Sequence, residues 1–552
     1  MESSTRVEEH VEREQSVRGD EFRSGCKKQE GRWQMKVSVE TTQGVVVGAS
    51  HDGVTSFKGI PYGAPPVGPL RFKPPTSAAP WEERECLEYG AISPQNADTL
   101  PEKFPGTVHY LYAPETTQSE DCLNLNIWAP ESATSLPVLL WIHGGGFLVG
   151  SGTGVWTDGS TFAREHDVIV VSINYRLGAL GFLLLDDEGQ EGLANLGLLD
   201  QIFALEWVRD NITAFGGDPS RVTIIGQSVG AVSVATLIGT PGAQDLFSQA
   251  IMESGHDKFS LSMEDAREAS QLFLKEMNIA QEGAAESLRS AELCDILDAQ
   301  ARVAALRQLP FRIVVDGDIV PSIVTDSLSS GVVPGVPILI GSNSNENGLD
   351  DVMTPVSNRE TRTLTDRVAS SFRSDFSPDE RVAWAGEVIG VYGDLALGDD
   401  EIWESLTNDR LYRVPINEFA TAIWTAGKAV YSFEFAYPSS AEGWSLGACH
   451  QLEVPFAFGN LDQPGVTDLT GDIGSVGSPA RELARKMNEA WATFVRVGKP
   501  STPSLPHWFQ YSVDSPYQMR FDTTSTMRLD PHIRQLRWWS DHKDLMNRSF
   551  GE

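Results

Sequence analysis

A serine flanked by glycines, in Gly226-Gln227-Ser228-Val229-Gly230, is the clearest candidate nucleophile in this sequence. Acyl transfer from a stable ester needs a nucleophile, a base and donors that hold the oxyanion. The pattern G-x-S-x-G is weak alone, because small residues recur by chance. Here it lies between the apolar runs VTII and AVSVATLI, and a strand–turn–helix of this kind projects the hydroxyl. The pattern predicts that Ser228 attacks a carbonyl carbon.

A second motif, His143-Gly144-Gly145-Gly146-Phe147, directly follows the apolar run VLLWI. Three successive glycines let the backbone approach a substrate closely and direct N–H groups at one point. A plain glycine turn is the alternative interpretation. Because the serine motif follows about 80 residues later, the combination favours an oxyanion-binding loop.

The elements around these motifs alternate between strand and helix. Segments 138–142, 168–173 and 222–225 are apolar on every face, which is typical of buried strands. Segment 195–211 has apolar residues at helical spacing, and 231–238 follows the serine as a helix. Alternation of this kind predicts an α/β fold with a mostly parallel sheet flanked by helices.

The organisation of the chain indicates one large domain, residues 35–552, although its length alone would allow three or four. We find no repeat, linker or low-complexity stretch. Segment 262–309 is predicted to be helical, with Ser262 capping its first helix. Such a helical insertion could cover an active site or only fill space beside the core.

The chain is strongly acidic, with 43 Lys and Arg against 76 Asp and Glu and a formal charge of −33. This charge repels phosphate backbones and anionic lipids, which argues against nucleic-acid and membrane-surface partners. The longest apolar runs are far shorter than the ~20 residues that span a bilayer. The N-terminal segment 1–34 is charged throughout and lacks the apolar core of a secretory signal, so we expect a disordered tail.

Several motifs in one order resemble the type-B carboxylesterase/cholinesterase family, and bacterial para-nitrobenzyl esterases in particular. The resemblance covers about residues 40 to 510 and implies an α/β-hydrolase fold and a serine carboxylesterase. The matching segments are FKGIPYGAPPVGPLRFKPP (57–75), SEDCLNLNIWAP (119–130), WIHGGGF (141–147), INYRLGALGF (173–182), the serine motif with its flanks (195–231) and HQLEVPFAFGNLD (450–462).

The resemblance supplies the remaining catalytic residues. The acidic residue of the family lies in a loop after a strand, and PILIGSNSNENG (337–348) places it at Glu346. The histidine of the family precedes a motif that begins here at Glu453, which gives His450. The chain order serine, acid, histidine agrees with α/β-hydrolases. His450 would accept the proton of Ser228, with no metal or organic cofactor, and no Cys/His cluster has zinc spacing.

The family pattern also assigns supporting groups. The backbone N–H groups of Gly145, Gly146 and Val229 would form the oxyanion hole, and Ser254 would lie behind His450. Two structural ion pairs are implied as well: Arg71 with Glu120 and Arg176 with Asp200.

Departures from the family bear on the substrate. Gln227 and Val229 stand where relatives usually carry Glu and Ala, and Tyr112 replaces the tryptophan that binds choline in cholinesterases. Both the lost charge and the weaker cation–π partner disfavour a cationic substrate. We therefore expect hydrolysis of uncharged carboxylic esters.

The cysteine pattern indicates a reducing compartment. Five cysteines at irregular spacing are few and odd in number, and without an export signal reduced thiols are expected. In the family pattern the disulfide partner of Cys122 falls at Ser93, so that bridge cannot form. The sequence thus predicts a cytoplasmic protein.

Two alternatives remain open at this stage. The same machinery could act on amide, carbamate or polyester-oligomer bonds. A non-catalytic binding protein like the neuroligins is a second alternative, which the intact Ser228, Glu346 and His450 disfavour.

We predict that removal of residues 1–34 will change ester turnover and the melting temperature little, because this segment lacks apolar residues able to pack on a core. Thermal unfolding of full-length and truncated protein checks this. A marked fall in the melting temperature would mean that the segment docks on the domain.

Overall fold

A thirteen-stranded mixed sheet forms the centre of the computed structural model, which describes residues 28–29, 32–33, 35–96, 104–114, 116–187, 190–349, 362–373, 375–395 and 397–545. In chain order its strands are β1 (Met35–Glu40), β2 (Val45–His51), β3 (Val54–Pro61), β4 (Glu83–Glu85), β5 (Asn124–Pro130), β6 (Leu136–Ile142), β7 (Ile169–Ile173), β8 (Gly217–Gln227), β9 (Gln249–Glu253), β10 (Ile338–Asn343), β11 (Val430–Phe435), β12 (Tyr517–Phe521) and β13 (Thr526–Leu529).

The middle of the sheet is parallel and its margins are antiparallel. The strand order is β13-β12-β11-β10-β9-β8-β6-β7-β5-β3-β2-β1, with β4 beside β2. From β12 to β7 all neighbours are parallel. Strands β5, β3, β2 and β1 continue antiparallel on one side, and β13 closes the other. The predicted mostly parallel α/β sheet is confirmed.

Helices flank this sheet and include the predicted ones. The segment predicted at 195–211 is helix Leu196–Asn211, and the helix after the serine is Val229–Gly239. In chain order the helices are α1 (Val108–Leu111), α2 (Ser160–His166), α3 (Gly178–Phe182), α4 (Leu196–Asn211), α5 (Val229–Gly239), α6 (Met263–Glu276), α7 (Ala284–Ser290), α8 (Leu293–Leu306), α9 (Val324–Ser329), α10 (Leu364–Ser370), α11 (Pro378–Tyr392), α12 (Asp399–Asn408), α13 (Val414–Thr425), α14 (Val454–Ala457), α15 (Val466–Thr470), α16 (Pro479–Val497) and α17 (Ile533–Asp541).

The apolar central strands are buried on both faces, which explains their unbroken hydrophobicity. In β6, Val138 and Leu140 join one core cluster, while Leu139 and Trp141 join the cluster on the opposite face. This alternation is the two-residue period of a strand. Helices α4 and α5 contribute to the first cluster, and α16 to the second.

A buried ion pair fixes the chain that follows β7 against α4. The guanidinium of Arg176 contacts the carboxylate of Asp200 at 2.7 and 2.8 Å, and also donates to the carbonyl oxygen of Lys73 at 2.8 Å. The two side chains are 3% and 0% exposed. The second implied pair, Arg71 with Glu120, is also present at 2.6 Å.

The segment predicted as a disordered tail lies mostly outside the described residues. Within it, Lys28–Gln29 pairs with Arg32–Trp33 in a short antiparallel ladder. Across the described residues, every helix is too short or too polar to serve as a membrane span.

We predict that Asp200→Asn will destabilise the fold by about 3–5 kcal/mol, because it leaves the Arg176 charge buried without its counter-ion. Asp210→Asn is the matched control on the same helix, since its pair with Arg209 is about half exposed and should change stability by less than ~1 kcal/mol. Chemical denaturation of both variants measures the difference. Equal stabilities would contradict the importance assigned to the buried pair.

Candidate active site

Ser228 lies in the tight turn between β8 and α5. Its backbone has φ +56° and ψ −127°, a conformation that residues with side chains rarely adopt. The N–H of Ser228 donates to the carbonyl oxygen of Glu253 at 2.9 Å, and the N–H of Val232 donates to the carbonyl oxygen of Ser228 at 3.0 Å. The strained conformation is therefore held from β9 on one side and from within α5 on the other.

The two glycines around Ser228 are required by close packing. A Cβ atom on Gly226 would lie 2.3 Å from the carbonyl carbon of Gly230, and one on Gly230 would lie 2.2 Å from the carbonyl oxygen of Ile142. The backbone of the turn therefore approaches itself closely at Gly226, and the start of α5 approaches the end of β6 closely at Gly230. The G-x-S-x-G pattern thus records two positions where the backbone leaves no room for a side chain.

Glu346 and His450 form a direct contact at the same edge of the sheet. Nδ1 of His450 lies 2.6 Å from Oε2 of Glu346, with side-chain exposures of 16% and 0%. A carboxylate facing Nδ1 keeps the ring hydrogen on that nitrogen and leaves the lone pair on Nε2. The pair therefore presents a basic nitrogen on the ring edge opposite Glu346.

Two asparagines position this pair, and neither was predicted from the sequence. The N–H of Asn343 donates to Oε1 of Glu346 at 2.7 Å, while its side-chain amide donates to the carbonyl oxygen of Cys449 at 2.6 Å. Asn408 accepts from the N–H of Glu346 at 3.0 Å. Asn343 could have been noticed as the last residue of a buried strand, but nothing local marks Asn408.

The Nε2 edge of His450 faces the turn that carries Ser228. Nε2 lies 3.2 Å from the amide nitrogen of Gln227, the residue immediately before the serine. On another side the ring of Tyr412 lies with its centroid 5.6 Å from that of His450. Tyr412 belongs to the π-helical turn Asp409–Arg413 between α12 and α13. The structure therefore brings all three predicted triad positions to one place.

The predicted oxyanion donors lie at the ends of adjacent parallel strands. Gly145 and Gly146, after β6, have φ +107° and +67°, and a Cβ on Gly145 would lie 2.2 Å from the carbonyl oxygen of Val149. Val229 is the first residue of α5, so its N–H has no acceptor within the helix and lies at the positive end of the helix dipole. Since β6 and β8 are parallel neighbours, both donor groups occur at the same sheet edge.

His143, beside the glycine loop, is a structural residue and not a second base. Burial lowers its pKa to about 4, so the ring is neutral at ordinary pH. It stacks on Tyr175 with centroids 4.3 Å apart, and the hydroxyl of Tyr175 donates to its carbonyl oxygen at 2.8 Å. These contacts hold the strand end from which the glycine loop departs.

Two further carboxyl groups, Glu253 and Glu453, are fully buried near the triad positions. Burial, followed by the charge of Glu453, raises the pKa of Glu253 well above its usual value, against the indole N–H of Trp491 that donates to it at 2.7 Å. Burial, followed by the charge of Glu346, raises the pKa of Glu453 to about 7. The cluster therefore carries less than its formal negative charge at neutral pH.

The remaining sequence-predicted positions have less direct roles. Ser254 follows β9 with φ +55° and is 2% exposed; its Oγ has no hydrogen-bond partner within the described residues. Tyr112 is half-buried at the end of α1, whereas Tyr110, which was not predicted from the sequence, contacts Gln227. No group of three or more potential metal ligands occurs among the described residues.

The fold and these positions can be compared with known proteins. The sequence profile of the carboxylesterase family matches residues 35–539. The para-nitrobenzyl esterase of Bacillus subtilis (strain 168) is 36% identical over 503 residues, covering 89% of this chain and 96% of that protein. The phenmedipham hydrolase of Pseudarthrobacter oxydans is 32% identical over 491 residues, covering 86% and 93%.

Solved structures agree with the sequence matches. A PNB esterase superposes with a TM-score of 0.78 at 32% identity, over 92% of this chain and 99% of that chain. The carboxylesterase EST55 of Geobacillus stearothermophilus gives a TM-score of 0.76 at 34% identity, over 91% and 99%.

The buried acid cluster predicts a pH-dependent effect of Glu453→Gln on stability. The folded-state pKa of about 7 lies above the unfolded value of 4.5, so Glu453 takes up a proton on folding. The contribution of this proton uptake to the free energy of unfolding is fully present below pH 4.5 and is lost as the pH rises through 7. The melting temperature of the variant relative to wild type should therefore be higher at pH 8 than at pH 5.

Thermal unfolding at the two pH values measures this difference. Glu442→Gln, at an exposed carboxylate, is the control. The difference between its melting temperature and that of wild type should be the same at both pH values. An offset of Glu453→Gln that is independent of pH would contradict the raised pKa.

Proposed function

We propose, from the premise that this chain belongs to the carboxylesterase family of serine hydrolases acting on esters, that Ser228, His450 and Glu346 are its catalytic triad. The observation that carries the assignment is the 2.6 Å contact between Glu346 and Nδ1 of His450, which leaves the Nε2 edge of the ring facing the strained turn at Ser228. A nucleophile, a base and an orienting acid within one sheet edge are the parts that acyl transfer requires.

The reaction then follows from these positions. Nε2 of His450 takes the proton of Ser228 as its oxygen attacks the ester carbonyl, and Glu346 stabilises the imidazolium that forms. The N–H groups of Gly145, Gly146 and Val229 receive the oxyanion. His450 returns the proton to the leaving alcohol, and water activated by the same nitrogen releases the acid from the acyl-serine.

The substrate class that we propose is an uncharged carboxylic ester. Gln227, fully buried beside the serine, is neutral where a carboxylate would attract a cation. Tyr112 offers a weaker surface to a quaternary ammonium than a tryptophan would. Small-molecule esters are the partners that fit, and the net charge of −33 opposes nucleic-acid binding.

We also propose the cytoplasm as the compartment, supported by the thiols. The described cysteines, Cys86, Cys122, Cys294 and Cys449, are unpaired, and one of them is exposed. Unpaired thiols persist where the surroundings are reducing. Cell fractionation tests this, and recovery of the protein outside the cytoplasm would contradict it.

We predict that Ser228→Ala will lower turnover of a neutral para-nitrophenyl ester by about 10⁴-fold or more, as loss of a triad nucleophile does. Ser220→Ala is the control. Ser220 lies on the exposed part of the same strand, and its side chain forms a hydrogen bond with Asp218. Steady-state kinetics compare the two. Retention of a tenth of wild-type activity by Ser228→Ala would overturn the assignment.

We predict that the wild type will prefer a neutral butyrate ester to butyrylcholine by a wide margin in kcat/KM. One charge at several ångströms contributes about 2–4 kcal/mol at an effective dielectric near 20, so its absence weakens cation binding. Gln227→Glu should narrow the margin by improving the choline ester. Efficient hydrolysis of butyrylcholine by the wild type would count against the proposed substrate class.

A further inference from the structure

Gln227 occupies a position between the oxyanion loop and the proposed base. It is the last residue of β8 and is fully buried. Its Oε1 lies 2.9 Å from the hydroxyl of Tyr110, and its Nε2 lies 3.2 Å from Nε2 of His450. One amide thus contacts a phenol at one end and an imidazole at the other.

The direction of these hydrogen bonds can be assigned from their surroundings. Because Glu346 faces Nδ1 of His450 at 2.6 Å, Nε2 carries a lone pair and accepts from the amide N–H. At the other end, the Oε1 atom must accept from the phenol. The assignment depends on Tyr110 keeping its hydrogen.

The surroundings of Tyr110 favour the phenol form, in which the hydroxyl keeps its hydrogen. Burial, followed by the charges of Glu453 and Glu253, raises its pKa well above the usual value, against a backbone hydrogen bond from Gly144. A Cβ on Gly144 would lie 3.1 Å from both the Tyr110 hydroxyl and Oε1 of Gln227. The phenol therefore lies beside the glycine loop, keeps its hydrogen and donates it to Gln227.

We propose that Gln227 is a positioning residue that holds the imidazole of His450 in its neutral, proton-accepting form, and that Tyr110 fixes the orientation of the Gln227 amide. The inference rests on the proposed function, in which His450 is the base. In this arrangement the amide N–H occupies the lone pair that later accepts the serine proton. The bond favours the neutral ring and its orientation, and it must yield when the serine hydroxyl engages.

The other groups around His450 come from elements other than β8, which carries Gln227. Glu346 faces Nδ1 from the loop after β10, Glu453 lies at the start of α14, and Tyr412 packs on the ring from the π-helical turn. Glu253, at the end of β9, is a further buried carboxyl group, and the charge of Glu453 contributes to raising its pKa. A change in the pH dependence on substitution of Gln227 can therefore be assigned to the side chain at position 227.

The test is the pH profile of kcat/KM for a neutral para-nitrophenyl ester between pH 5 and 9, with full-length protein. In Gln227→Glu the acid limb should move to higher pH by about one unit or more, because a carboxylate favours the imidazolium. Gln227→Met removes the hydrogen-bond donor to the neutral ring. It should move the acid limb to higher pH by less than Gln227→Glu does, and it should lower kcat about tenfold. Tyr110→Phe should lower kcat with KM nearly unchanged.

The outcomes separate the inference from the function on which it rests. If Ser228→Ala is inactive but the acid limb is identical in wild type, Gln227→Glu and Gln227→Met, the positioning role is wrong and the triad stands. If Ser228→Ala is active, the proposed function itself fails. Should Gln227→Met not fold, the nearly isosteric Gln227→Glu decides, since a merely structural role would alter yield and melting temperature without moving the limb.

Discussion

The strained backbone at Ser228 is the constraint on which the rest of the site depends. A conformation of this kind costs about 1–3 kcal/mol and persists only where the surroundings determine it. Here β6 and β9 flank β8 as parallel neighbours, and Glu253 bonds the serine N–H from one side. Close packing of Gly230 against Ile142 fixes the other. The backbone geometry of Ser228 is thus a property of the central sheet.

The parallel arrangement also explains why distant residues meet. The carboxyl ends of β6, β8, β9 and β10 carry, in turn, the glycine loop, Ser228, Ser254 and the loop of Glu346. Parallel neighbours place these ends at one edge of the sheet, where ligands bind in open α/β folds. His450 comes from a later loop and is joined to this edge through Glu346 and Asn343. The site is assembled by strand order more than by sequence proximity.

Local sequence pattern predicted the serine turn, the glycine loop and the central strands, because each depends on residues that are neighbours in the chain. Glu346 and His450 could be located only through the family resemblance, since 104 positions separate them and neither has a local signature. Asn343, Asn408 and Tyr110 were missed altogether. Apart from the local bond between Asn343 and Glu346, their roles arise from hydrogen bonds across 62 to 117 positions, which no periodicity encodes.

The position of β8 within the sheet has a consequence for how the protein opens. On one side of β8 lie β9 and three further parallel strands, and on the other lie β6, β7 and the antiparallel strands. We therefore expect the backbone amide hydrogens of β8 to be among the last to exchange with solvent, through global unfolding. His450 lies in a turn between β11 and α14 and is joined to the sheet through the side chains of Glu346 and Asn343. We therefore expect heat to release His450 before the strand that precedes Ser228, so that loss of activity precedes the loss of secondary structure.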